Sequence, residues 1–372
     1  MAPSRKTEPE TSKKGRTSSK LFVPACYSFG FLLVCLIAFL LQIVYFSPIS
    51  PVLDEVPQPA VLSATQLQDF IKVGEGSVNH PEDASMDKNG VIYTATRDGW
   101  IKRLQDGTWV NWKFIDSQTL LGLTSTKEGH LIICDNANGL YKVSEDGVEN
   151  FLSYVNGSKL RFANAVVEAS DGSLYFTVSS SKYLPREYYL DILEGKPHGQ
   201  LLKYDPSSNI TTLVADGFYF ANGVALSRDE DYVVVCESWK FRCRKYWLKG
   251  ERKGKLETFA ENLPRAPDNI NLAPDGTFWI AVIKFDARRM KILNSSKLIK
   301  HILAAYPKLF SRFITLGGGA HLINVAEDGT IIRNLVDPTG QLMPFVTSGL
   351  QVDDHLYMVS VTSNFIGKVQ LS

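Results

Sequence analysis

Cysteine is scarce in this chain: five residues in 372, two of them inside an apolar run, with no pair at the spacing of a zinc site. A disulfide-built scaffold and a structural zinc module are therefore excluded. Charge of one sign is not in surplus either, since 40 Lys and Arg face 39 Asp and Glu for a formal net charge of +1. Without a basic field, nucleic acid is not an expected partner. The common catalytic signatures are missing too. There is no His-Glu-x-x-His, no Gly-x-Ser-x-Gly elbow, and no Walker or Rossmann glycine loop. The run Gly317-Gly318-Gly319 precedes the strand-like AHLINVA and sits in no strand–helix unit. What remains is 44% hydrophobic and 21% charged, a globular composition that excludes disorder.

The charge that is present is unevenly placed. Residues 1–20 carry Arg5, Lys6, Lys13, Lys14, Arg16 and Lys20 against Glu8 and Glu10. Residues 21–46 then contain no charged side chain at all. As a helix they would span roughly 39 Å, enough to cross a bilayer with some tilt. A cleaved secretory signal is the alternative, but the apolar run exceeds a signal core and SPISPV is a poor cleavage site. The first basic residue beyond the run is Lys72, so the basic tail is expected to stay cytosolic. That makes a single-pass type II protein: tail 1–20, transmembrane anchor 21–46, Pro-spaced linker 47–75, lumenal domain 76–372. Three sequons, Asn156, Asn209 and Asn294, fall on the lumenal side.

Beyond the linker one local pattern recurs. An alternating strand meets an Asp-Gly or Asn-Gly turn and then a more apolar strand, as in ASMDKNGVIYTAT, VVEASDGSLYFTV and INLAPDGTFWIAV. Such turns between alternating runs are strong hairpin signals. Six copies at a period of about 49 residues match four-stranded propeller blades. The expected fold is all-β, a six-bladed β-propeller. Residues 286–313 interrupt the rhythm with helical spacing, which makes them an insertion in blade five. It reads as a capping helix, or as a lid or a basic face that meets a membrane.

Acidic and amide residues stand just before the first strand of several copies: Glu82 and Asp83, Asn164, Asn222, and Asp268 with Asn269. In a propeller those positions converge on the axis, and such hard oxygen donors suit calcium. Asn and Asp also simply terminate turns, which is the plainer reading.

The blocks RFANAVVEASDGSLYFTVSSSKY, PHGQLLKYDPSS and CRKYWLKGERKGKLETF resemble plant strictosidine synthase-like proteins, and are similar to the animal adipocyte plasma membrane-associated proteins. The resemblance runs from about residue 75 to the end and implies the propeller superfamily of paraoxonases and gluconolactonases. It implies that Glu82, Asn164, Asn222, Asp268 and Asn269 hold a catalytic calcium, with Asp268 as ligand and base. The paraoxonase histidine is replaced near Leu121, and Ala165 stands where a second, structural calcium would be held. His198 and His321 are the other candidate bases. Where strictosidine synthase carries its catalytic glutamate this chain has Ser348, and no Glu follows Glu327. The serine cannot serve as a tuned acid–base, and Asp353 and Asp354 read as turn residues.

The expected function is thus a calcium-dependent hydrolase of esters or lactones. A strictosidine synthase-like enzyme acting on an amine and an aldehyde, and a non-enzymatic ligand-binding propeller, are the alternatives. The expected location is the endomembrane system: endoplasmic reticulum, vacuole or plasma membrane. Cys236 and Cys243, near the ends of consecutive strands, form a disulfide if the hairpin register pairs them, and are otherwise buried thiols. Cys134 is expected to be unpaired.

Overall fold

The computed structural model describes residues 22–55, 58–283, 287–313 and 318–371, so the basic tail at 1–20 lies outside the described residues. The chain divides after Ser47 into two compact units. The first contains helix α1 (Phe22–Tyr45), whose 24 residues would span about 36 Å. It is long and apolar enough to cross a membrane, as an anchor or a signal sequence would be. Phe31, Leu36 and Leu41 lie exposed along it, so it is not the buried helix of a core.

The second unit, from Pro48, is the six-bladed propeller. The inner strands are Ala84–Met86, Leu120–Ser125, Ala163–Glu168, Ala221–Leu226, Ala266–Leu272 and Ser348–Val352, one for each blade in order. Each turns back at the repeated hairpin. In blade 1, Asp87 Oδ1 accepts from the backbone of Asn89 and Val91, and Gly90 N donates to Asp87 O. Gly90 there has φ 80°, a conformation glycine reaches without strain. Glu230 (φ 54°) and Asp353 (φ 51°) take the same left-handed turn in the degenerate copies. The second strands are the most buried: Leu131–Asp135, Leu174–Val178, Tyr232–Glu237 and Phe278–Ile283 are covered on both faces. Their side chains join neighbouring blades into shared apolar clusters.

The linker expected at 47–75 is instead part of this body. Ile71–Val73 pairs antiparallel with Ile366–Gln370 as the outer strand of blade 6, and Thr65–Gln66 runs parallel to the outer strand of blade 5. Ile49 and Leu67 are buried. Proline spacing misled here because these short strands find partners only at distant sheet edges.

The blade 5 insertion is three short helices rather than one: α3 (Ala287–Leu293), α4 (Lys297–Ala305) and α5 (Pro307–Phe313), counted after α2 (Tyr188–Glu194), which arises in blade 3. Ser295-Ser296 and Pro307 supply the breaks, Pro307 sitting where a helix start tolerates it. Helix α2 lies in the loop after the second strand of blade 3 and closes on Gly195 (φ 70°). Its Tyr188 and Tyr189 rings meet Phe310 of α5. Between these caps runs the segment that enters the propeller. Ser50 N and Val52 N donate to Glu194 Oε1 and O (both 2.9 Å), Lys300 Nζ donates to Val52 O (2.7 Å), and Lys240 pairs with Asp54. Burial pulls the Lys300 ammonium down to about 8.

Cys236 and Cys243 are a directly opposed cross-strand pair in blade 4 and form the disulfide; Cys134 is buried and free. The bridge closes the turn that carries Ser238, a residue of the site described below. Closing so short a loop stabilises by about 2 kcal/mol in the chain-entropy picture. The Cys236→Ala/Cys243→Ala protein is expected to melt several degrees lower. An unchanged melting temperature would show that the bridge contributes nothing.

Candidate functional site

The inner strands of blades 2 to 5 share one irregularity. Each slips register near its start, between Leu120 and Leu123, Ala163 and Val166, Ala221 and Val224, and Pro267 and Ile270. A bulge of this kind re-aims the side chains it carries, and here these include Asn164, Asn222, Asp268 and Asn269. Phe162 (φ 58°) and Phe220 (φ 63°) stand in left-handed backbone just before two of the bulges. Such strain in a bulky residue persists only when its surroundings fix it. Ser179 N and Ser238 N donate to the Phe162 and Phe220 carbonyls, and the two rings pack at 5.3 Å. Gly223 is needed for close approach, since a Cβ there would lie 2.7 Å from Asp268 O.

These strands bring distant residues together. Asn269 Nδ2 donates to Glu82 Oε1 (2.6 Å) across 187 positions, and Asn222 Nδ2 donates to Asp268 Oδ1 (2.6 Å). Asn164 Nδ2 is taken by Ser179 Oγ and Asn222 Nδ2 also by Ser238 Oγ. Every amide nitrogen is thus engaged. The oxygens are not: Glu82 Oε2, Asn164 Oδ1, Asn222 Oδ1 and Asn269 Oδ1 are all buried without a partner. A buried polar atom left unsatisfied costs about 1–3 kcal/mol. Four of them among carboxylates form a donor set a hard cation would satisfy. No group of three or more His, Cys, Asp and Glu gathers in metal-holding fashion among the described residues. An ion here would therefore rest largely on amide oxygens.

Three carboxylates share the site. Burial, then the neighbouring Asp268 and Asp83 charges, push Glu82 well above the ordinary range. Burial raises Asp268 to about 7, with the Asn222 hydrogen bond opposing. Asp83 is raised by burial too, but its oxygens are satisfied by Ser348 Oγ, Ala84 N and Leu123 N. Ser348 also accepts from Asn271 Nδ2 (2.9 Å). Below this layer a cavity of about 230 Å³ runs past Asn271 toward Glu168, Arg228 and Glu230.

The expected histidine bases are elsewhere. His198 Nε2 is bound to Glu194 (2.7 Å), and His321 Nε2 to Asn334 (2.6 Å), in the third strand of blade 5. Burial and the nearby Arg265 charge lower His321 to about 4. Neither hydrogen-bonds the Glu82–Asp268 group. Leu121 and Ala165 are buried apolar residues of the inner strands, and Asp353 and Asp354 lie in the blade 6 turn. The sequence reading missed Ser179 and Ser238, which follow the second strands of blades 3 and 4. Their recurrence, in FTVSS and VCES, was the available signal. It also missed Thr177 and Thr347, whose hydroxyls hold the Asn222 and Glu82 carbonyls (both 2.6 Å), and Arg97, whose charge acts on Glu82.

Comparison with known proteins agrees with this frame. A family model described as strictosidine synthase matches residues 164–251, and one described as strictosidine synthase-like, N-terminal, matches 64–104. Protein Strictosidine Synthase-Like 6 of Arabidopsis thaliana is 33% identical over 312 residues, covering 80% of this chain and 81% of that protein. Adipocyte plasma membrane-associated protein of Rattus norvegicus is 30% identical over 355 residues, covering 87% and 93%. Among solved structures, a gluconolactonase from Xanthomonas campestris matches at TM-score 0.60 and 14% identity, over 87% of this chain and 98% of that one. The calcium-binding protein regucalcin from Agrobacterium tumefaciens matches at 0.55 and 10%, over 84% and 96%. At those identities the two structures show the fold alone.

Proposed function

The chain belongs to the strictosidine synthase-like family, and from that membership we propose that it is a calcium-dependent hydrolase of esters or lactones. The observation that carries this reading is the set of four buried oxygens without partners, Glu82 Oε2, Asn164 Oδ1, Asn222 Oδ1 and Asn269 Oδ1. With Asp268 they would hold the ion. When bound, calcium supplies Lewis acidity toward a substrate carbonyl oxygen. The chain's own residues do the rest. Asn222 and Asn269 fix the two carboxylates by hydrogen bonds, while Ser179 and Ser238 keep the amides turned oxygen-inward. Asp268, whose carboxyl burial raises to about 7 in the ion-free site, would be held ionised beside a bound cation, and as a carboxylate it takes the proton of an attacking water. The gluconolactonase and the calcium-binding protein share the propeller fold on which such a site is built.

Condensation of an amine with an aldehyde is disfavoured, because the Ser348 hydroxyl is committed to Asp83. The test is direct. The protein is assayed on phenyl acetate and a lactone panel, with calcium and with chelator, and on tryptamine plus secologanin. Calcium-dependent hydrolysis is expected. Product from the amine pair would favour the condensing enzyme, and silence on every substrate the ligand-binding propeller.

In this reading α1 anchors the protein in an endomembrane or the plasma membrane, with the propeller on the lumenal or outer side. The sequons at Asn156 and Asn209 are exposed and fit that side. Protease added to intact microsomes should trim only the basic tail. Digestion of the propeller from the cytosolic side would reverse the orientation.

A further inference from the structure

We propose that the blade 5 cap, α3 to α5, is an interfacial docking surface for phospholipid, separate from the apolar helix. From residue 287 to 326 the sequence has no acidic residue, while 287–313 contains seven Lys and Arg. Lys300 is consumed in the contact with Val52. Lys291, Lys297, Lys308 and Arg312 are exposed. Interleaved with them, Ile292, Leu298, Tyr306 and Leu309 are exposed large apolar residues. On a helix facing only water those four positions would be polar. Leu303, Ala304 and Phe310 already bury the inward side. Acidic side chains of the cap, among them Glu187 before α2 and Asp54 paired with Lys240, lie outside α3 to α5. The outward side therefore offers apolar wedges ringed by cations, with no anion of its own. That is the chemistry of a headgroup boundary, where apolar side chains enter and lysines meet phosphates.

A second observation points to lipid rather than to an acidic protein. The chain enters the propeller unit on this same cap. Residues 50–54 are bonded to Glu194, Lys300 and Lys240, and the apolar helix ends at Tyr45, only a few residues earlier in sequence. The inference rests on the reading that α1 spans a membrane, which supplies the lipid surface. Because the second strands of the blades end where their inner strands begin, the cap stands at the end of the propeller that carries Glu82 and Asp268. Docking would turn that end toward the bilayer and favour substrates that partition into it.

The test uses the full chain in phosphatidylcholine nanodiscs with and without phosphatidylserine. An environment-sensitive fluorophore is placed at Leu309→Cys, or at Asn89→Cys in the opposite hairpin turns, both in a Cys26→Ser/Cys35→Ser background that leaves only the buried Cys134 unpaired. Doxyl-labelled lipid should quench the probe at 309 severalfold more than at 89. The contrast should increase with phosphatidylserine and vanish in Lys291→Glu/Lys308→Glu/Arg312→Glu, whose exposed sites leave folding intact. A chain that fails to enter the discs sinks the anchor reading. A chain that enters but leaves both probes equally in water overturns this proposal and leaves the face to an acidic protein. Quenching that survives the triple charge reversal overturns the role of the cations. A glycan on half-buried Asn294, between α3 and α4, would stand in the same interface. Peptide mapping should find that sequon empty, and full occupancy overturns the proposal.

Discussion

Asp268→Ala is expected to lower ester or lactone hydrolysis by about 10²–10³-fold and to erase the calcium-dependent rise in melting temperature together with it. Asp268 and Glu82 are the two carboxylates of the proposed ion set, so the substitution halves its formal charge. It also releases the Asn222 amide, which holds Asp268 Oδ1 at 2.6 Å, and so loosens a second donor. The two losses share one cause, and should not be separable by raising substrate. Asp275→Ala is the control. That carboxylate caps the exposed turn of the same blade through Thr277 N and Oγ1, and its loss should leave calcium dependence intact. An Asp268→Ala protein with wild-type hydrolysis would remove Asp268 from the mechanism.

The second large effect is in the pH dependence of calcium stabilisation. Asp268 is raised from 3.8 to about 7 in the folded protein. A carboxyl whose folded pKa is raised favours folding when protonated, and that contribution is lost as pH rises toward the folded value. Three units correspond to at most about 4 kcal/mol. Glu82 shifts in the same direction. Protons and calcium therefore compete for the same oxygens. The melting-temperature gain from excess calcium over chelator should be small at pH 5 and large at pH 8. His321 complicates the raw curve, because its pKa is lowered to about 4 and it destabilises the fold as pH falls below 6.5. It lies outside the Glu82–Asp268 hydrogen-bond group, so the difference between calcium and chelator at each pH cancels it. A gain independent of pH would place the ion away from these carboxylates.

What the sequence made legible was what repeats. The Asn-Gly turn at Asn89 and the Asp-Gly turns at Asp171 and Asp275 mark the blades because each glycine takes a backbone that other residues resist. Asn164, Asn222 and Asp268 share one phase of that repeat. Hairpin proximity left Cys236 and Cys243 open between a disulfide and two buried thiols, and the strand register decided it. What stayed hidden depends on non-local pairing or local irregularity. Thr65–Gln66 and Ile71–Val73 are too short to carry a period, and their partners lie some 270 to 300 residues away. The bulges that turn Asn222 and Asp268 inward leave no mark in composition. His198 and His321 were named for their chemistry, but Glu194 and Asn334, which hold them, could be found only in the fold.

The stretch from Ser50 to Asp54 also decides how the molecule bears force. Tension applied to the chain from its N-terminal side reaches Ser50, Val52 and Asp54 before it reaches the closing strand Ile71–Val73. There it is divided among Glu194, Lys240 and Lys300, which belong to three different blades. Pulling works against several hydrogen bonds and a buried ammonium at once, instead of unzipping one strand from the edge of blade 6. A pull from that side is thereby spread over the caps before it reaches the sheet that joins the first and last strands.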